Sequence, residues 1–198
     1  MKLVELAPVS VFDLPMAELR EHLRLGTGFA DDDIQDPVLE RALRAALDAI
    51  EARTGKVLFA RAFRWTVSAW RSPVVQALPV APVTQITALS LVEATGAVTP
   101  LSPADVTLEE DLHRPQLHPA QGCLPTIPMR GKAEVTFVAG FAANWSGIPA
   151  DLAQAVLLMA AHFYEARLDG GDDGNLPFGV GALIARYRTV RILGGASA

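Results

Sequence analysis

Residues 148–171 constrain the fold more than any other part of the sequence, because they carry too few polar side chains for a surface helix. The segment reads IPADLAQAVLLMAAHFYEARLDGG. Pro149 suits a first helical turn, Asp151 places a carboxylate near the positive end of the helix dipole, and Gly170-Gly171 supply a left-handed stop. Apolar residues recur at helical spacing in two adjacent rows. We therefore predict a long central helix over residues 149–169 that is buried on most sides.

Three further helices are predicted from capping signals and apolar periodicity. Pro15 starts a short helix that Gly26 ends, and Asp36-Pro37 begin a longer one that runs to Gly55. In the longer helix Glu40 faces Arg44 at i+4. Residues 180–192 form the last helix, with the apolar positions of the pattern turned inward. The Ala-rich stripe over residues 38–50 is expected to pack against the central helix.

Between these helices, residues 56–142 have the composition and period of short β-strands. In ARAFRWTVSAW, Phe63, Trp65, Val67 and Ala69 alternate with polar or exposed positions, which is typical of a half-buried strand. Further strands are expected at 74–80, from 82 to about 92, and at 97–101, 106–108, 116–117 and 132–141. Residues 1–14 are interpreted as an extended arm, without strand length, that packs on a neighbouring surface such as another subunit.

The fold class is therefore α+β, with about four helices in a bundle and an inserted small antiparallel β module. The predicted segments are residues 1–55 for the N-terminal arm and first helices, 56–142 for the β module, and 143–198 for the central and C-terminal helices. A chain of 198 residues can bury one sizeable core, or one core and a smaller module.

Charge and cysteine content exclude several classes of function. The net charge is −5 and the basic residues are scattered, which argues against a dedicated nucleic-acid surface. A single cysteine, Cys123, allows no internal disulfide, so we expect synthesis in a reducing, intracellular compartment. The run VELAPVSVFDLP does not have the pattern of a signal peptide, and the central helix is too polar to span a membrane.

Residues with metal-binding chemistry do not form a recognisable motif. His113 and His118, near Cys123 and Glu110, have ligand types that zinc uses, but their spacing matches no closed site and Pro115 intervenes. We therefore predict no metal, no cofactor and no catalytic residue. A small metal-dependent hydrolase that uses the His113/His118 region remains the alternative function.

Other candidate features also have plainer structural explanations. His162 and Glu165 lie at i,i+3 on the polar stripe of the central helix, where a general base is possible but no nucleophile motif accompanies it. Trp65, Trp70 and Trp145 are isolated, which is more typical of core or interface positions than of stacking sites. The acidic run at residues 31–33 lacks the alternating ligands of an EF-hand, and LDGGDDGNLPFGVG lacks the Gly-Lys-Ser/Thr of a phosphate loop.

Arg186, Arg188 and Arg191 form a basic C-terminal group in an acidic protein. They complement the dipole of the last helix and are solvated, or else they contact an acidic partner surface.

The order of several segments carries a resemblance to a known family. These segments are HLRL, AIEARTGKVL, RWTVSAW, LPVAPVTQITAL, VTFVAGF, IPADLAQAVLLMAAHFYEAR and LIARYRTVRIL. Together, over residues 14–193, they closely resemble the head-to-tail connector (adaptor) proteins of tailed bacteriophages, a family also carried by prophages and gene transfer agents. The stretch 93–129 departs most from that pattern.

The resemblance implies a structural, non-enzymatic subunit in the neck of a virion or phage-like particle, made in the bacterial cytoplasm. It implies a ring, typically twelve-fold, that docks beneath the portal protein and offers a platform to a stopper or tail terminator protein. Arg186, Arg188 and Arg191 are then expected to face the portal. DNA would pass through the ring without specific binding, and no membrane is involved. A monomeric regulatory binding module is a third class of function.

Overall fold

A computed structural model describes residues 1–25, 35–169 and 176–188 of the protein. Its helices are α1 (Met16–His22), α2 (Asp36–Thr54), α3 (Ala150–Asp169) and α4 (Val180–Ile184). The helix α3 confirms the long central helix predicted from the sequence. With the antiparallel sheets described below, these helices confirm the α+β class.

α2 and α3 form the centre of the helical layer. Each has an apolar stripe at helical spacing that the other covers. The buried side chains are Leu39, Leu43, Ala46, Leu47 and Ile50 from α2 and Leu152, Ala155, Val156, Met159 and Ala160 from α3. α1 adds Leu19, which is fully buried in the same cluster. The predicted pair on the outer face of α2 is present, since Arg44 Nε lies 2.8 Å from Glu40 Oε1.

The last helix is shorter than predicted. α4 ends at Ile184 and continues as a 3-10 turn over Ala185–Tyr187, after which Arg188 has an extended backbone. At the end of this tighter turn, the Tyr187 hydroxyl donates a hydrogen bond to Asp151 on α3. The remainder of the predicted helix, from residue 189 onward, lies outside the described residues.

In residues 1–25, 35–169 and 176–188, eight strands form two antiparallel sheets. They are β1 (Lys2–Glu5), β2 (Arg61–Val67), β3 (Gln76–Ala77), β4 (Val83–Val92), β5 (Val98–Leu101), β6 (Val106–Glu109), β7 (Gln116–Pro119) and β8 (Lys132–Ala139). The larger sheet has the order β1-β2-β8-β4-β5, and the smaller has the order β3-β7-β6. The strand predicted at residues 97–101 is confirmed as β5, which pairs with the end of β4.

The alternation predicted for the β region is confirmed in its central strands. In β2, Phe63, Trp65 and Val67 are buried while Arg64 is exposed. In β8 the buried positions are Ala133, Val135, Phe137 and Ala139. These side chains form a second hydrophobic cluster with residues of the smaller sheet and its loops. Ala69, expected on the buried side, is exposed because the strand ends at Val67.

The expectation that residues 1–14 lack a strand is wrong. β1 is the edge strand of the large sheet and pairs antiparallel with β2, with Lys2 opposite Thr66 and Glu5 opposite Phe63. Backbone pairing with β2 compensates for its short length, because each residue gains ladder hydrogen bonds that no isolated segment of four residues can form.

The two hydrophobic clusters meet along the segment that follows α2. Val57 is buried in the sheet cluster, whereas the next residue, Leu58, is buried in the helical cluster. On the other side of the junction, the N–H of Phe141 donates to the carbonyl of Leu58 at 3.0 Å. The helical layer and the sheet are therefore in direct contact, while the predicted segment boundaries stay a prediction.

Candidate partner interfaces

The C-terminal arginine region is anchored to the start of α3. Arg186 Nε lies 2.8 Å from Asp151 Oδ2, and the Tyr187 hydroxyl donates to Asp151 Oδ1 at 2.8 Å. Arg186 also donates through Nη2 to the Tyr187 hydroxyl, with its guanidinium carbon 4.7 Å from the centre of the tyrosine ring. Asp151 therefore links the C-terminal turn to the first turn of the central helix, where a carboxylate also suits the dipole.

The contacts within this cluster change the pKa values of Arg186 and Tyr187. The hydrogen bond to Tyr187, together with the Asp151 carboxylate, raises the pKa of Arg186. Burial raises the pKa of the Tyr187 hydroxyl, and the hydrogen bond to Asp151 raises that pKa as well. The ring of Tyr187 is buried and packs edge-on against Phe141 at 5.8 Å between ring centres. The cluster is thus a fixed element of the surface.

The three arginines predicted as a partner surface have different positions. Arg186 is bound to Asp151, although most of its side chain remains in solvent. Arg188 is exposed and follows the 3-10 turn directly. Arg191 lies outside the described residues. That these arginines contact a partner stays a prediction.

A wide groove lies beside α1, at the N-terminal end of α2. It has a volume of about 760 Å³ and is lined by the 3-10 turn Val11–Asp13, the start of α1, residues Asp36, Pro37 and Glu40, and the loop that carries Trp145. Phe12 is 93% exposed at its edge, although it is one of the largest apolar side chains in the segment. Trp145 is half-buried and stacks on Phe59, with 6.3 Å between ring centres.

The groove combines apolar surface with an excess of acidic groups. Its lining includes the carboxylates of Asp13, Glu18, Asp36 and Glu40, but a single arginine, Arg20. Arg20 is in ion-pair contact with Asp36, and Arg44 pairs with Glu40, so the carboxylates of Asp13 and Glu18 set the charge of the groove. A complementary partner would be apolar and basic. Sequence analysis missed this surface because its residues come from three separate segments.

A second unusual surface lies at the far end of the large sheet. Residues 128–131 form a tight turn in which the N–H of Gly131 donates to the carbonyl of Pro128 at 2.8 Å. Met129 is 89% exposed, and Arg130 is exposed with a left-handed backbone at φ 59°. Val98, on the neighbouring hairpin, is 61% exposed.

Of the histidines considered as metal ligands, His118 is half-buried and His113 is exposed. His118 Nε2 lies 2.9 Å from Glu109 Oε2 across β6 and β7. His113 is exposed, and its backbone N–H donates to the Asp111 carboxylate. The backbone N–H groups of Arg114 and His113 hold the pKa of Asp111 below its usual value. Within residues 1–25, 35–169 and 176–188, no three His, Cys, Asp or Glu side chains are grouped so that they could bind a metal ion.

The remaining candidates have structural positions. Trp65 is buried in the sheet cluster, and the Trp70 indole donates to the carbonyl of Pro125 at 2.7 Å. His162 is half-buried on α3 next to Phe163, and Glu165 is exposed. Cys123 is exposed. The acidic run at 31–33 and most of the Gly-rich loop after α3 lie outside the described residues.

No helix in the described part of the chain is long and apolar enough to cross a membrane. This finding includes α3, the most apolar of the long helices.

Solved structures resemble this chain along almost its whole length. A chain from the neck of an empty gene transfer agent (GTA) particle, computed with C6 symmetry, is 52% identical, with 98% of this chain and 99% of that chain covered and a TM-score of 0.90. A chain from the virion of a native gene transfer agent particle is also 52% identical at the same coverage, with a TM-score of 0.87. A chain from the neck of a native GTA particle, computed with C12 symmetry, is 48% identical over 98% of this chain and 99% of that one, with a TM-score of 0.85. No protein-family model and no curated protein matches the sequence.

Proposed function

The chain belongs to the family of head-to-tail connector (adaptor) proteins found in the neck of gene transfer agent particles, and we propose that it forms the ring that joins the DNA-filled head to the tail. The observation that carries this function is the 52% identity to a neck chain, with 98% of this chain covered. The family resemblance predicted from the sequence is thereby confirmed.

The proposed ring contains twelve copies. The neck structures that match this chain were computed with C6 and C12 symmetry, which supports a cyclic assembly. Cyclic symmetry requires each copy to contact its two neighbours through different surfaces. The chain would act as a scaffold, without catalytic activity.

The proposed portal contact is the C-terminal element that carries Arg186, Arg188 and Arg191. Asp151 and Tyr187 fix the first of these arginines against α3, and Arg188 follows it at the surface. Such an anchored basic group suits an acidic patch on a portal protein, because less side-chain entropy is lost on binding. The β module would contribute contacts to neighbouring copies or to the stopper or tail terminator protein.

The net charge of −5 also suits a DNA conduit. A wall with an excess of carboxylates repels phosphate weakly, so DNA can slide past without being held.

Copurification with the portal protein tests the proposed contact. Arg188→Glu is the cleanest variant, because Arg188 is exposed whereas Arg186 also holds the C-terminal turn to Asp151. We expect Arg188→Glu to lose most of the portal binding, and Arg71→Glu, a reversal at an exposed position of the β module, to retain it. Equal binding by both variants would show that the basic element does not face the portal. Negative-stain images of the wild-type complex then report whether a ring is present.

A further inference from the structure

A ring of identical copies needs one surface that fits a different surface on the next copy. Two unusual surfaces of this chain have complementary properties. The groove beside α1 is apolar and acidic, whereas the turn at residues 128–131 is apolar and basic. Because the ring is part of the proposed function, the contact inferred below rests on it.

The turn is built to present two side chains. The hydrogen bond from Gly131 to Pro128 closes it. A Cβ at Gly131 would lie 2.5 Å from the carbonyl oxygen of Val92, so the turn packs directly on the end of β4, where Val98 pairs with Val92. We call the exposed apolar side chains of Met129 and Val98, with Arg130 next to Met129 in the chain, the knob.

The backbone of Arg130 is left-handed, a conformation that a glycine would adopt there without strain. A left-handed conformation is disfavoured for a residue with a Cβ, because the Cβ lies too close to the following carbonyl oxygen. Strain of this kind is concentrated at functional sites, where the side chain contributes something that glycine does not. At Arg130 that contribution is a positive charge next to exposed apolar surface.

The knob and the groove of one chain are too far apart to meet. β8 begins at Lys132, directly after the turn, and ends at Ala139, where the sheet meets the helical layer. Seven residue steps at the rise of an antiparallel strand span about 23 Å. A contact between the two surfaces therefore has to join two different copies.

We propose that, in the ring, the turn at residues 128–131 of one copy docks into the groove of the next copy. Met129 and Val98 cover Phe12, and Arg130 binds among the carboxylates of Asp13 and Glu18. A thioether packs favourably against an aromatic ring. The pairing of a basic group with carboxylates fixes the relative position of the two copies.

A cysteine pair tests this contact in rings assembled on the portal. Met129→Cys and Phe12→Cys, the two residues that the proposal places in contact, are combined in a Cys123→Ser background, so that no native thiol remains. We expect mild oxidation to give a ladder of disulfide-linked oligomers on a non-reducing gel. The matched pair, Met129→Cys with Asp48→Cys two turns further along α2, should give monomers, because Asp48 does not line the groove.

Charge reversal provides a second and independent measurement. We expect Arg130→Glu to lower the fraction of protein in rings by at least about tenfold, and Glu18→Arg to restore part of it in the double variant. Arg130→Gly keeps the turn without the charge and should have an intermediate effect. Unchanged thermal unfolding of the free subunits shows that each variant folds.

The outcomes separate the contact from the ring. Rings by negative stain without the disulfide ladder, or rings that tolerate Arg130→Glu, would overturn the contact and leave the connector function intact. If wild-type protein forms no ring on the portal, both the proposed contact and the proposed connector function are wrong.

Discussion

Arg61 binds the carboxylate of Glu51 through both terminal nitrogens, with Nη1 at 3.0 Å from Oε1 and Nη2 at 2.7 Å from Oε2. Glu51 lies in the last turns of α2, and Arg61 is the first residue of β2. The same carboxylate accepts the backbone N–H of Leu58 at 2.8 Å, and Arg61 Nε lies 2.9 Å from Glu5 on β1. This pair joins the helical layer to the sheet at the point where the two hydrophobic clusters meet.

Glu51→Ala should destabilise the fold strongly. The side chains of Arg61 and Glu51 are only 11% and 15% exposed, so removal of the carboxylate leaves a largely buried guanidinium and an unpaired backbone N–H. Loss of one partner of a buried pair costs about 3–5 kcal/mol, and we expect the lower end because Glu5 still contacts Arg61. Urea unfolding followed by tryptophan fluorescence measures the change.

Glu40→Ala is the matched control for this substitution. Glu40 also pairs with an arginine, Arg44, but both side chains are about one-third exposed. A surface i,i+4 pair contributes about 0.3–0.5 kcal/mol. Similar losses of unfolding free energy in the two variants would contradict the assignment of Glu51 as the link between the layers.

Lys56 is the most unfavourably placed charge in the described part of the chain. It is 1% exposed, and no described residue accepts a hydrogen bond from its Nζ. Burial lowers the pKa of Lys56, an effect that the Asp111 carboxylate only partly opposes. Lys56→Met keeps a similar shape and removes the buried charge, so we expect it to stabilise the protein by about 1–3 kcal/mol at pH 7.

The advantage of Lys56→Met should shrink as the pH rises. The folded pKa of Lys56 lies below its ordinary value of 10.5, so between these two values the unfolded chain binds more protons than the folded chain. The free energy of unfolding of the wild type therefore increases with pH in that window. Urea titrations from pH 7 to 10 measure the slope. A pH-independent gain from Lys56→Met would contradict a buried charged lysine.

Tyr187→Phe should loosen the C-terminal turn without unfolding the protein. It removes the hydroxyl that donates to Asp151 and accepts from Arg186, while the ring still packs on Phe141. Loss of this hydrogen bond costs about 1 kcal/mol. Hydrogen exchange should rise in α4 and the turn that follows, and remain unchanged in β8. Faster exchange in β8 as well would mean that the turn contributes to global stability.

Local pattern was sufficient to predict most of the elements. The alternation of Phe63, Trp65 and Val67 and the apolar rows of the central helix are each set by the burial of one face, which repeats at a fixed interval in the sequence. Helix ends could also be predicted locally, because Pro and Gly set the backbone conformation at these positions. Gly55, for example, ends α2 with a left-handed backbone at φ 68°.

Contacts between distant segments could not be predicted in this way. β1 is held by its register with β2, some sixty residues away, and nothing within Lys2–Glu5 identifies its partner. Lys56 contradicts the rule that lysines are exposed, because it lies where both layers meet. The groove depends on α1, α2 and the Trp145 loop together. Candidate partner surfaces are therefore visible only after the layers have been assembled.

Gly140→Ala should prevent normal packing of the sheet on the helical layer. Gly140 follows β8 with φ 137°, and a Cβ there would lie 2.4 Å from both Cα and N of Ala60. These atoms belong to the backbone, so the clash cannot be relieved by rotation of a side chain, and we expect a loss of at least about 3 kcal/mol. Gly179→Ala is the control, because its φ of 86° is also left-handed but, beyond its chain neighbours, no atom of a described residue lies within 4 Å of the added Cβ. That variant should lose only about 1–2 kcal/mol, the cost of the backbone conformation alone. Thermal unfolding separates the two costs, and equal losses would mean that the approach of residue 140 to Ala60 does not constrain the junction.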